Sequence, residues 1–111
     1  MTVPKLVYVA GPIQGNPFGC VRQAIPVFTA LREIGAVPFL PQLSILHAII
    51  EDPGYEAWLV YDFDVIRLAD CLIRLPGVSP GADQEVGFAT RLGKPVFAWP
   101  LVGAARVWLT S

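Results

Sequence analysis

Cys71-Leu72-Ile73-Arg74-Leu75, followed by Val78-Ser79-Pro80-Gly81-Ala82-Asp83-Gln84-Glu85-Val86-Gly87-Phe88-Ala89, is the stretch on which the fold turns. The first run is short and apolar, as a buried strand requires, and the second carries a helical pattern that stops at Gly93-Lys94-Pro95. A strand, a turn of small residues and a helix build a corner where a ligand can meet free backbone N–H groups. Glu85 is expected in the first turn of this helix, where unpaired N–H groups and the positive dipole end favour an ionised carboxylate. A fixed, ionised carboxylate is a candidate nucleophile.

Working outward, Leu6-Val7-Tyr8-Val9-Ala10 reads as a first strand running into the turn-rich segment Gly11-Pro12-Ile13-Gln14-Gly15-Asn16-Pro17. Asn16 suits an N-cap and Pro17 a first helical position, after which Val21, Ala24, Ile25, Phe28 and Leu31 recur at helical spacing as far as Gly35. Pro26 removes a backbone donor and is expected to start this helix late or to kink it. The prolines of Val37-Pro38-Phe39-Leu40-Pro41 predict an edge strand. Gln42 to Ile50 reads as a short helix or an irregular loop, ended by the break Glu51-Asp52-Pro53-Gly54. From Tyr55 to Asp70 a helix is expected with Tyr55, Trp58, Leu59, Ile66 and Ala69 on one face. Leu72 to Leu75, Gly81 to Leu92 and Val96 to Trp99 then give a third strand, a third helix and a fourth strand, and the tail from Gly103 to Thr110 either closes the sheet or packs as a helix. Strands alternating with helices predict one α/β domain over 1–111 with a mostly parallel sheet of four or five strands flanked by helices. Ligands of such sheets bind beyond the carboxyl ends of the strands, where the loops after strands one and three fall.

The composition restricts partners. A net charge of −1 without a basic run excludes a nucleic-acid track, so polymeric nucleic acid is not an expected partner. No apolar stretch reaches the length that spans a bilayer, and Met1-Thr2-Val3-Pro4-Lys5 lacks a signal-peptide pattern, so no membrane association and a cytoplasmic location are expected. With 54% hydrophobic and 15% charged residues, a homodimer or higher homo-oligomer is expected to cover part of the surface. Cys20 and Cys71 lack metal-ligand spacing, and neither a disulfide nor a zinc site is expected.

Among the chemistry-bearing residues, Asp62 and Asp64 lie two apart, so on a helix they point about 200° apart and only one can serve a given pocket. Asp70 reads as a turn or capping residue, and the single histidine, His47, as structural or pocket-lining in the absence of a nucleophile partner. Gly11 and Gly15 match neither a dinucleotide fingerprint nor a phosphate-binding Lys loop. They read either as close backbone approach to a ligand or as a tight turn. Ser79-Pro80-Gly81 can offer a hydroxyl and N–H groups to an anion, or form an ordinary capped turn.

Taken together, Tyr8-Val9-Ala10-Gly11-Pro12-Ile13, Asp62 and Asp70, Ser79-x-Gly81-x-x-x-Glu85-x-Gly87-x-Ala89 and Gly93-Lys94-Pro95-Val96 resemble the nucleoside 2-deoxyribosyltransferase superfamily, which includes the 2'-deoxynucleoside 5'-phosphate N-hydrolases. The resemblance implies a Rossmann-like, flavodoxin-like single domain with no metal and no organic cofactor. By it, Glu85 matches the nucleophile that attacks the anomeric carbon, and Asp62 the acid that contacts the base and protonates the leaving group. Tyr8, Gly11, Ile13 and Gly15 match the sugar-lining segment. Ser79 stands where the phosphate-preferring hydrolases carry a serine that binds the 5'-phosphate and the nucleoside transferases an acidic residue, which makes Ser79 with Gly81 a candidate phosphate seat. The transferases add an asparagine from a neighbouring subunit near the C-terminus, whereas Asn16 is the only asparagine here, and Pro12 replaces a hydroxyl residue of the nucleotide hydrolases.

The expected activity is hydrolysis of the N-glycosidic bond of a nucleoside or nucleoside 5'-monophosphate, with deoxyribosyl transfer second. Two readings from other classes stand beside it: a non-catalytic nucleotide-binding module, and a structural subunit whose apolar surface builds an oligomer.

Overall fold

The computed structural model describes residues 3–13 and 15–111; Met1, Thr2 and Gln14 lie outside it, the last within the Gly11–Gly15 loop read from the sequence as sugar-lining. The elements follow in the order β1 (Leu6–Ala10), α1 (Pro17–Glu33), β2 (Val37–Phe39), a 3₁₀ turn (Pro41–Leu43), α2 (Ser44–Ile50), α3 (Tyr55–Leu68), β3 (Cys71–Arg74), α4 (Pro80–Arg91), β4 (Val96–Ala98) and α5 (Gly103–Thr110). The four strands form one wholly parallel sheet in the order β2-β1-β3-β4. The tail, expected either to close the sheet or to pack as a helix, is helical, so among the described residues the sheet has four strands.

Side chains alternate across the sheet because the strand period is two. Val7 and Val9 of β1 join Cys71 and Ile73 of β3 in a core built with Ala24, Val27 and Leu31 of α1 and Leu109 of α5. Tyr8, Ala10 and Leu72 face the other way, onto Ile66 of α3 and onto Ala82 and Ala89 of α4. The two inner strands are covered on both faces, which is why their sequences run apolar without alternation. Pro38 lies in β2, at the edge of the sheet as expected, where its missing donor costs least.

Helix α1 begins at Asn16, whose side chain accepts from the Gly19 N–H at 3.1 Å, with Pro17 in the first turn. It runs unbroken through Pro26, correcting the late start expected from the proline. Arg22 and Pro26 both lie on the exposed side, so the carbonyl freed by the proline faces water. The buried stripe is Cys20, Ala24, Val27 and Leu31; Ile25 and Phe28, assigned to the core from spacing, are exposed. A shift of one position around the wheel separates the two stripes, and the buried one joins Val7 and Val9 of β1 in one core.

Helix α3 is anchored at both ends. Asp52 accepts from the Gly54 N–H at 2.9 Å and from Trp58 Nε1 at 3.1 Å, while Lys94 Nζ donates to the carbonyls of Arg67 at 3.0 Å and Ala69 at 2.7 Å. A lysine on the last carbonyls of a helix satisfies orphan acceptors and complements the dipole. The helix ends at Leu68, and of its expected apolar face Ile66 is buried whereas Tyr55 is exposed. Asp70, read as a turn or capping residue, sits in the turn between α3 and β3 and caps no helix: it accepts from the Leu6 N–H and its own N–H donates to the Leu6 carbonyl, both at 2.8 Å. Cys20 and Cys71 are buried free thiols, and burial pushes Cys71 up to about 12. Among the described residues no helix is long and apolar enough to cross a membrane.

Candidate active site

The strand order reverses between β1 and β3, and in parallel sheets this switch point opens a crevice at the carboxyl ends of the strands. A cavity of about 530 Å³ lies there. The loop after β1 contributes Gly11, Pro12 and Ile13; α3 contributes Trp58 and Asp62; and the β3-to-α4 corner contributes Ser79, Gly81 and Glu85. An adjoining cavity of about 550 Å³ is walled by Phe39, His47 and Tyr61 and shares Ser44, Trp58 and Asp62 with the first. His47 meets Trp58 edge-on, ring centroids 5.1 Å apart, in the pocket-lining position read from the sequence.

The centre of the site is a cluster of three side chains from three elements. Tyr8 projects from β1 onto the α3/α4 face, is fully buried, and stacks on Phe39 with centroids 5.7 Å apart. Its hydroxyl donates to Glu85 Oε2 of α4. Asp62 of α3 lies near the same hydroxyl, which donates its one proton to Glu85 and also lowers the Asp62 carboxyl's proton affinity. Among the described residues neither Asp62 nor Glu85 has an ion-pair partner.

That environment sets the protonation. Glu85 is 7% exposed, and burial pushes its carboxyl up to about 7, with the charge of Asp62 adding, while the Tyr8 hydrogen bond and the charge of Arg74 pull it down. Burial likewise raises Asp62 to about 6, against the Tyr8 hydrogen bond. Burial, then the charges of Glu85 and Asp62, push Tyr8 far above its ordinary value, so its hydroxyl stays a donor. Two carboxyls around one donor titrate as a pair, and between about pH 6 and 7 the pair holds one proton.

Two expectations are corrected here. Ser79 caps α4, its Oγ accepting from the Ala82 N–H at 3.1 Å, and Pro80 is the first helical residue. Glu85 is thus the sixth residue of the helix and lies in its second turn; the acid in the first turn is Asp83. The dipole end therefore does not hold Glu85 ionised, and burial gives it the higher proton affinity of the two acids, the reverse of the order expected.

Of the residues read as substrate-binding, Gly11, Ile13, Ser79 and Gly81 line the cavity. Tyr8 lies beneath it and reaches it through Glu85. Gly15 is exposed, has φ +89°, and does not line the cavity, which makes it a turn residue. Gly11 has a packing reason: a Cβ there would lie 3.0 Å from Gln42 Nε2 and 3.0 Å from Leu75 Cδ1. Asp64 points away, pairing with Arg67 at 2.6 Å, as the helical period required.

Two residues escaped the sequence reading. Gln42, fully buried behind Gly11, donates through Nε2 to the Val9 carbonyl at 3.5 Å and leaves Oε1 without a partner among the described residues. Arg74, the last residue of β3, donates to the carbonyls of Leu75 and Gly77 and to Asp83. A lone polar group beside a proline-bracketed strand and a lone charge ending an apolar one were the available signals.

No family model and no curated protein matches the chain. Among solved structures, a conserved protein from Enterococcus faecalis superposes with a TM-score of 0.72 at 24% identity, covering 86% of this chain and 63% of that one. The 2-deoxyribosyltransferase of the psychrotolerant bacterium Bacillus psychrosaccharolyticus superposes with a TM-score of 0.63 at 21% identity, covering 91% of this chain and 79% of that one. The chain thus spans less than two thirds of the Enterococcus protein and has the fold of the deoxyribosyltransferase.

Proposed function

We propose, from a fold shared with a 2-deoxyribosyltransferase and a Tyr8–Glu85–Asp62 cluster at its switch-point crevice, that the protein cleaves the N-glycosidic bond of a nucleoside or nucleoside 5'-monophosphate. The observation that carries this reading is the pair of raised carboxyls around one tyrosine hydroxyl. Cleavage passes through an oxocarbenium-like state, so one carboxylate must meet the anomeric carbon while an acid protonates the departing base.

In this reading the reacting form is the minor one, in which the pair's proton lies on Asp62 and Glu85, as carboxylate, attacks C1' and forms a glycosyl ester. The electrons of the C1'–N bond go to the base nitrogen, which takes the proton held by Asp62. Asp62, now a carboxylate, removes a proton from water as the water oxygen displaces Glu85 from C1'. Sugar and free base leave, and the pair has regained its proton. Tyr8, donating to Glu85, lowers the cost of ionising it and orients it. A second nucleobase in place of water would give transfer.

The sugar occupies the cavity between Ile13 and Gly81, and the base extends past Asp62 toward Trp58 and Tyr61, whose faces suit a planar heteroaromatic. Ser79 Oγ accepts from the backbone, which leaves its own proton free for a phosphate oxygen. The chain self-associates through its apolar surface, Leu46, Ile49 and Ile50 of α2 being exposed; light scattering tests this.

The deciding experiment is a chromatographic base-release assay on a panel of nucleosides and their 5'-monophosphates, run with the wild type and Glu85→Gln. Release by the wild type alone is expected. Tight binding without turnover, indifferent to Glu85→Gln, would select a binding module instead.

A further inference from the structure

We propose that Arg74 is a positioning residue for Glu85: its guanidinium braces the turn from β3 into α4, the helix that carries the buried carboxyl. The inference rests on Glu85 being the reacting group, and it concerns a residue that does not line the cavity.

The geometry is specific to arginine. Arg74 lies two residues after Leu72 and so shares the strand face that packs on α3 and α4. Its side chain is 18% exposed, against 72% for Asp83. One terminal nitrogen donates to the Leu75 carbonyl, and the other donates to the Gly77 carbonyl and to Asp83 Oδ1, each at 3.0 Å. These three acceptors come from the end of the strand, the middle of the turn and the first turn of α4, so one planar fork spans the segment that carries Ser79 and delivers Glu85. Gly77 has φ +117° and the Pro12 ring lies 3.0 Å from where its Cβ would be, so the residue whose carbonyl accepts from Arg74 is confined to glycine. A lysine ammonium is a point charge and cannot reproduce the fork.

The charged and polar groups that act on Glu85 are Tyr8 of β1, which donates to it, Asp62 of α3, which shares its cavity, and Arg74 of β3, whose charge lowers its proton affinity while its guanidinium is held by Asp83 on the same helix as Glu85. Of these groups, the tyrosine supplies a hydrogen bond, the aspartate a repelling charge and the arginine an attracting one. The Arg74–Asp83 pair is half in solvent, where such pairs add little stability. Its value lies in aiming the guanidinium and in holding the corner.

The test is a carboxyl-carbon NMR titration of glutamate-labelled protein in the wild type, Arg74→Met and Arg74→Lys, with amide exchange across residues 77–82. Arg74→Met should raise the Glu85 midpoint by about one pH unit. Arg74→Lys should restore most of that shift while amide exchange in the turn quickens by on the order of tenfold, since the charge returns without the fork. If Arg74→Met does not fold, the lysine variant decides alone: a near-wild-type midpoint with faster exchange supports the proposal, and unchanged exchange overturns it. An unmoved midpoint in Arg74→Met also overturns it. Because the readout needs no turnover, absence of base release from the wild type would sink the proposed reaction and leave the Arg74 result standing, whereas release with an unmoved midpoint would do the opposite.

Discussion

Helices α3 and α4 each carry two acids two residues apart, and in each helix one acid turns outward and the other inward. Asp64 and Asp83 point out and each holds an arginine, at 2.6 Å and 3.0 Å. Asp62 and Glu85 point in and meet Tyr8, with no ion-pair partner among the described residues. The chemistry of the side chains is the same; the difference is desolvation without a contacting cation, which raises proton affinity. A surface pair adds little to stability, whereas a buried carboxyl without an ion-pair partner carries a desolvation cost, as groups in reacting or ligand-binding sites do.

The contrast is sharpened most by Glu85→Gln, which keeps the shape and removes the proposed nucleophile; base release should fall by on the order of 10³-fold or more, measured under single-turnover conditions. Asp62→Asn should cost on the order of 10²-fold with the same assay, and less with a substrate whose base leaves without protonation. The outward acids should behave otherwise: Asp64→Asn should change neither rate beyond about twofold nor stability beyond about 0.5 kcal/mol, checked by assay and by urea melts. A comparable loss from Asp64→Asn would break the comparison.

Next in size is the pH response. A carboxyl with a higher proton affinity folded than unfolded takes up a proton on folding. The Glu85 contribution is therefore fully present below its ordinary value of 4.5, is lost as pH rises toward about 7, and is constant above that. Glu85→Gln should accordingly be more stable than the wild type at pH 8, by about 1–3 kcal/mol, with the gap closing toward pH 4.5. Thermal melts across that range check the sign. In the proposed reaction the productive form has Asp62 protonated and Glu85 ionised, the minor placement of the pair's one proton, and its population still follows a bell with limbs near 6 and 7, so the rate should too.

A smaller effect separates two glycines that the sequence treats alike. Gly11→Ala drives a Cβ into Gln42 and Leu75 at 3.0 Å and should cost about 1–3 kcal/mol of stability. Gly81→Ala meets nothing within 4 Å, so the fold should keep its melting temperature while the methyl narrows the cavity and raises KM. Urea midpoints and steady-state kinetics distinguish the two.

The wholly parallel sheet was legible because β1 and β3 are unbroken apolar runs of strand length, and the edge position of β2 because Pro38 cannot donate to a ladder. The divergence of Asp62 from Asp64 followed from helical period alone. What stayed hidden depended on where a period starts or on distant partners. Ser79-Pro80 sets the start of α4, and a helix begun there carries Glu85 into the second turn. The buried stripe of α1 runs through Val27 rather than Ile25 and Phe28, a choice that the sheet makes and that spacing does not. Arg74 read as part of an apolar strand because its acceptors, Gly77 and Asp83, are brought to it by the turn.

The central claim, that Glu85 bonds to the sugar while the Asp62 proton goes to the base, is tested most directly by trapping. A 2'-fluoro nucleotide slows loss of the sugar through its oxocarbenium-like state. Incubation followed by peptide mass spectrometry should find the sugar's mass on the peptide containing Glu85, at pH 6.5 in the wild type and absent in Glu85→Gln. Base release from natural substrates without any adduct on that peptide, at a rate that Glu85→Gln leaves unchanged, would contradict the account.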